Sequence, residues 1–194
     1  MRLWHFRVTV IALWAALSNP LNAGGYHYEI DVTSQLVGDA SGQLGSLQVT
    51  WLYDKHVSLI LFENEEPNPF GRSKKLMLIA DRIIADLHEY NYYAKLQVDG
   101  MNQPFNRVMD YKLELTDDYR LQLNFMIPLA KTVSIAGRQL EVTWLDPTGT
   151  GLLLHRSVGS LSVDKIDTNC KIELENYPDY QHGELPQKAR LECQ

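Results

Sequence analysis

The stretch Ser73-Lys74-Lys75-Leu76-Met77-Leu78-Ile79-Ala80-Asp81-Arg82-Ile83-Ile84-Ala85-Asp86-Leu87-His88-Glu89 decides the fold class. Leu76, Ile79, Ala80, Ile83, Ile84 and Leu87 recur at helical spacing, while Lys74, Lys75, Arg82, Asp86 and Glu89 fall mostly on the other side. An apolar stripe opposite a charged face is the pattern of a helix packed on a core. Ser73 is a residue type that caps helix N-termini. Before it, Asn64 to Gly71 carries Pro67, Pro69 and Gly71 and reads as a loop.

Working outward, the chain alternates rather than winds. Tyr26, Tyr28, Ile30 and Val32 share one face, and His27, Glu29, Asp31 and Thr33 the other. Gly38 to Gly42 reads as a turn, and a second strand is expected over Leu44 to Leu61. It would place Val49, Trp51, Tyr53 and Val57 opposite Gln48, Thr50, Asp54 and His56. Beyond the helix, strands are expected at Ala94 to Val98, Met109 to Leu115, Leu121 to Phe125 and Leu140 to Trp144. Asp146-Pro147 ends the last of these, because proline cannot donate to a ladder. Weaker strands are expected at Gly151 to His155, Leu161 to Ile166 and Lys171 to Leu174. The sum is an α+β fold: a mainly antiparallel β-sheet with one principal amphipathic helix packed on it. Val49-Thr50-Trp51-Leu52 recurs as Val142-Thr143-Trp144-Leu145. Two strands in similar sheet positions explain this more simply than an internal duplication.

Arg2 and Arg7 precede an apolar run, Val8 to Leu17, which is followed by Ser18-Asn19-Pro20 and Leu21-Asn22-Ala23. This reads as a secretory signal peptide, residues 1–23, and predicts periplasmic export. The run is too short to span a membrane, and charges interrupt every later apolar stretch, so no transmembrane segment is expected in the mature chain. Residues 24–194 are about one domain's worth of protein. The precursor's net charge is −6, and loss of Arg2 and Arg7 would take it to −8. With no basic stripe, nucleic-acid binding is excluded as a leading reading. Cys170 and Cys193 are the only cysteines. In an exported chain they are expected to form one disulfide. That bridge would tether the polar tail, 177–194, expected to be irregular.

There is no Gly-rich phosphate loop, nucleophile elbow or His-Glu-x-x-His helix, and the chain reads as non-enzymatic. Candidate metal ligands are His27 and Asp31 on one strand, Asp54 and His56 on the next, and His88 near the helix end. These N and O donors suit zinc, nickel or cobalt. The plainer reading is a half-solvated sheet and a histidine placed favourably at a helix C-terminus. His155 and His182 are further donors without nameable partners. Tyr90, Tyr92 and Tyr93 form a core edge or a pocket wall.

Several stretches together resemble a known family. They are Gly25 to Asp31, Gly42 to Thr50 with Trp51, Tyr53-Asp54, Asp99-Gly100, Leu121 to Phe125 with Pro128-Leu129, Val142 to Thr148, and Cys170. The family is an uncharacterised bacterial periplasmic one, a domain of unknown function. Its members are described as the periplasmic component of an ABC-type transport system and are often encoded near nickel/cobalt or zinc transporters. The resemblance implies an exported accessory protein with a membrane transporter as partner and divalent metals as cargo. Relatives begin the mature chain with His-Pro-His, where this chain has Tyr26-His27-Tyr28. At most one imidazole of that pair is kept. The other readings are a protein-interaction module without a small ligand, and a hydrolase with a scattered site.

Overall fold

The computed structural model describes residues 28–63, 71–176 and 187–194. Among the described residues the strands are β1 (Tyr28–Gly38), β2 (Leu44–Tyr53), β3 (Ala94–Val98), β4 (Met101–Asn102), β5 (Asp110–Leu115), β6 (Leu121–Val133), β7 (Gln139–Trp144), β8 (Gly151–Leu154), β9 (Leu161–Asp164), β10 (Cys170–Asn176) and β11 (Gln187–Cys193). The helices are α1 (Lys55–Glu63) and α2 (Arg72–Glu89). The α+β expectation holds, with α2 as the larger helix, but the strands divide between two sheets. The first runs β5-β6-β2-β1-β8, with β9 also pairing β1; the second runs β10-β11-β7-β3-β4.

The β1–β2 hairpin forms as the alternation predicts, with Val32 opposite Trp51 and Ile30 opposite Tyr53. The outer edge of β1 is covered by two short parallel strands in line. β8 pairs with Tyr28 to Asp31, and β9 with Ser34 to Val37. The remaining pairings are antiparallel. Buried side chains of both sheets join Ile79, Ala80, Ile84 and Leu87 of α2 in one core. At its centre Trp51 of β2 meets Trp144 of β7 edge to face, with centroids 6.2 Å apart. The two recurring Val-Thr-Trp segments therefore occupy the middle strand of each sheet.

Three local expectations are corrected. The second strand stops at Tyr53, not Leu61. Asp54 accepts the Val57 N–H through Oδ1 at 2.9 Å, and Ser58 Oγ donates back to the Asp54 carbonyl at 2.6 Å. This N-terminal cap turns the chain into α1. At the start of α2, Gly71 rather than Ser73 is the cap residue, with φ of 89° and no side-chain bond. Ser73 lies within the first turn. The tail is not irregular throughout: 177–186 lie outside the described residues, but Gln187–Cys193 is a strand bonded to both β10 and β7. Ala189, Leu191 and Cys193 point into the core. On the other face Lys188 and Arg190 pair with Glu141 and Glu175. Cys170 and Cys193 lie opposite each other in this ladder and form the expected disulfide.

Candidate functional site

An aromatic cavity of about 210 Å³ opens where β1 and β2 meet both helices. Tyr28, Trp51, Tyr53 and Tyr93 supply its rings, Val57, Leu61, Ile83 and Leu87 are among its aliphatic residues, and Asp86 is its carboxylate. Each ring has a local cause. Tyr28 lies against Gly151, where an added Cβ would come within 2.5 Å of the ring, so the glycine makes the room. Trp51 and Tyr53 are inward residues of β2. Tyr93 comes from the short 3₁₀ turn Asn91–Tyr93, where Asn91, Tyr92 and Tyr93 have φ of 53°, 58° and 54°. Non-glycine residues rarely adopt this left-handed region, and such strain collects at functional sites. The turn buries Tyr92 in the core and stacks Tyr93 on Trp51, with centroids 6.0 Å apart.

Behind the rings lies Asp146, buried after the end of β7. Its Oδ1 accepts from Thr148 N–H and Oγ1 at 2.8 and 2.7 Å, and its Oδ2 from Gly151 N–H at 2.7 Å and Thr150 Oγ1 at 3.0 Å. Tyr28 donates to Oδ2 at 3.3 Å. Burial alone would raise this carboxyl, but the hydrogen bonds outweigh it and hold it below its usual range. Burial and the Asp146 charge push Tyr28 up and Tyr93 up to about 12. Burial also raises Tyr53. The phenols therefore stay protonated as donors. The indole N–H groups of Trp51 and Trp144 are buried without hydrogen-bond partners.

The expected metal ligands are dispersed over other tasks. Asp31 receives Arg156 Nε on Oδ1 at 2.5 Å and Arg120 Nη2 on Oδ2 at 3.1 Å. Arg156 also holds Glu29 at 2.6 Å. Asp54 caps α1 and accepts the Glu29 N–H at 3.0 Å. His56 is exposed on α1 rather than facing β1, and His88 Nδ1 meets the Tyr92 hydroxyl at 3.0 Å. His27 and His182 lie outside the described residues. Among the described residues no three His, Cys, Asp or Glu side chains group to hold a metal. The donor set that is described does not converge on a metal centre.

His155 gains a partner that the sequence did not name. Its Nε2 lies 2.9 Å from Ser34 Oγ in the gap between β8 and β9, both residues buried. Burial lowers its pKa to about 4, so the ring is neutral. Of the cavity residues, only Tyr93 stood out in the sequence as a pocket wall. In the sequence Asp86 read as helix polarity and Asp146, outside the cavity lining, as the end of a strand. The signal available for both was their place beside aromatic strands that meet only in three dimensions. A second groove, about 460 Å³, lies between α2 and edge strand β5 and includes Arg72, Met77 and Lys112 in its lining.

Two sheets, a larger helix packed on them and a small aromatic cavity define an α+β protein. The chain belongs to the DUF1007 family, described as a protein of unknown function, whose family model matches residues 10–191. No curated protein matches it significantly.

Proposed function

We propose that this is an exported, non-enzymatic binding or accessory protein that works beside a membrane transporter in the periplasm. The observation that carries the binding reading is the aromatic cavity, a preformed concave site with convergent polar groups. Export is supported by the N-terminal segment and by the Cys170–Cys193 disulfide, a bond that persists in oxidising compartments. Among the described residues no helix is long and apolar enough to cross a membrane. Fractionation of cells making the full chain tests this reading. Recovery of a shortened, alkylation-resistant protein in the periplasm supports it, and retention of a full-length chain in the cytoplasm overturns it.

The family resemblance makes zinc, nickel and cobalt the first cargoes to test. About one equivalent of a single metal retained through chelator-free purification would support a role in divalent-metal homeostasis. A metal-free protein, after incubation with each ion, would remove it. The second reading is an interaction module. Leu59 and Ile60 on α1, and Met77 and Leu78 on α2, are 38–49% exposed, a large apolar surface for two helices. Cross-linking to a transporter that chelator leaves unchanged favours that reading.

A further inference from the structure

The cavity has a definite electrostatic character. Among the described residues its lining contains four aromatic rings and one carboxylate, Asp86, and no lysine, arginine or histidine. Aromatic faces carry the negative part of the ring quadrupole and attract cations. Tyr28 donates its hydroxyl proton toward the Asp146 carboxylate, which leaves its ring richer in electrons. Asp86 lines the cavity and Asp146 lies behind the Tyr28 hydroxyl, so carboxylates stand on both sides of the rings. A divalent metal finds one carboxylate among apolar walls, too few oxygen or nitrogen donors for its shell. The volume, about 210 Å³, is below that of pockets for drug-sized ligands and suits a compact headgroup. The strained Asn91–Tyr93 turn is retained where it stacks Tyr93 on Trp51 at the cavity wall.

We propose that this cavity binds a small organic monocation, a quaternary or protonated amine, seated against the half-buried rings of Tyr28 and Tyr93, with Trp51 and Tyr53 packed behind them and Asp86 as counter-charge. The assignment rests on reading the cavity as a ligand site and is independent of export or a transporter.

The test is isothermal titration of the disulfide-bonded protein with choline and with its neutral isostere, in which carbon replaces the quaternary nitrogen. Choline is expected to bind about tenfold more tightly. Asp86→Asn, an exposed helix position, should weaken choline severalfold while thermal melting stays unchanged, and Tyr93→Phe, which keeps the ring, should retain it. Equal binding of choline and the isostere overturns the cation assignment and leaves the cavity as an apolar ligand site. Binding of neither, by protein that melts normally, overturns both the assignment and the ligand-site reading.

Discussion

The segments Val49 to Leu52 and Val142 to Leu145 have the same sequence and the middle position in their sheets, yet different surroundings. Trp51 sits under an opening, with Tyr53 and Tyr93 packed on it. Trp144 sits against His155 in a closed part of the core. β2 lies between β1 and β6, and two helices and a strained turn border the cavity at its Trp51–Tyr53 end. Around β7 the neighbours are β11, stapled by the disulfide and laced by ion pairs, and β3. Identical strand chemistry thus yields a cavity wall in one sheet and a sealed core in the other. The difference comes from what the chain lays over each strand.

Replacing each tryptophan by alanine should have the largest effect and divides the pair most sharply. Each change should cost about 3–5 kcal/mol in urea unfolding. Only Trp51→Ala should also alter ligand binding in the cavity; equal effects of both on binding would break the contrast. Next comes pH. The folded protein keeps His155 neutral to about 4, whereas the unfolded chain takes up a proton near its ordinary value of 6.5. The unfolded state binds more protons in that window, so stability falls as pH drops from 6.5 to 4, by about 3 kcal/mol. His155→Asn should flatten that slope in melts taken across this range. On the second sheet, replacing both Cys170 and Cys193 by serine should cost about 3 kcal/mol and leave the cavity's ligand affinity unchanged. A loss of binding at constant temperature margin would show that the two sheets are not separable in role. The smallest effect is expected from Asp54→Ala, about 1–2 kcal/mol, with loss of α1 helicity beside the cavity.

Local pattern made much of the fold legible. The stripe of α2 and the alternation of β1, β5 and β7 needed only periods of 3.6 and 2. The division into two sheets was not legible, because pairing between β7 and β11 joins segments far apart in sequence. β11 was hidden by composition: its alternation of Lys188, Arg190 and Glu192 with Ala189, Leu191 and Cys193 is that of a strand, but its charges suggested a tail. Asp54 looked like an outward strand residue because a cap is defined by the backbone N–H it receives, not by periodicity. The cavity was the least readable feature. Tyr28, Tyr53, Asp86 and Tyr93 come from four elements, and Tyr93 reaches its place through a left-handed turn in which asparagine is followed by two tyrosines, residues that rarely adopt it. The metal reading grouped residues by alternation, and Asp31 shows what that omits, namely two arginines arriving from the turn before β6 and the segment after β8.

The tryptophan pair has an optical consequence. Trp51 and Trp144 are the indoles among the described residues. Their rings stand 6.2 Å apart at 80°, close enough for their transitions to couple in the near-ultraviolet. Near-ultraviolet circular dichroism reports fixed side-chain packing and vanishes when that packing loosens. Because one ring belongs to each sheet, the coupled band is a gauge of docking between the sheets, readable without a label.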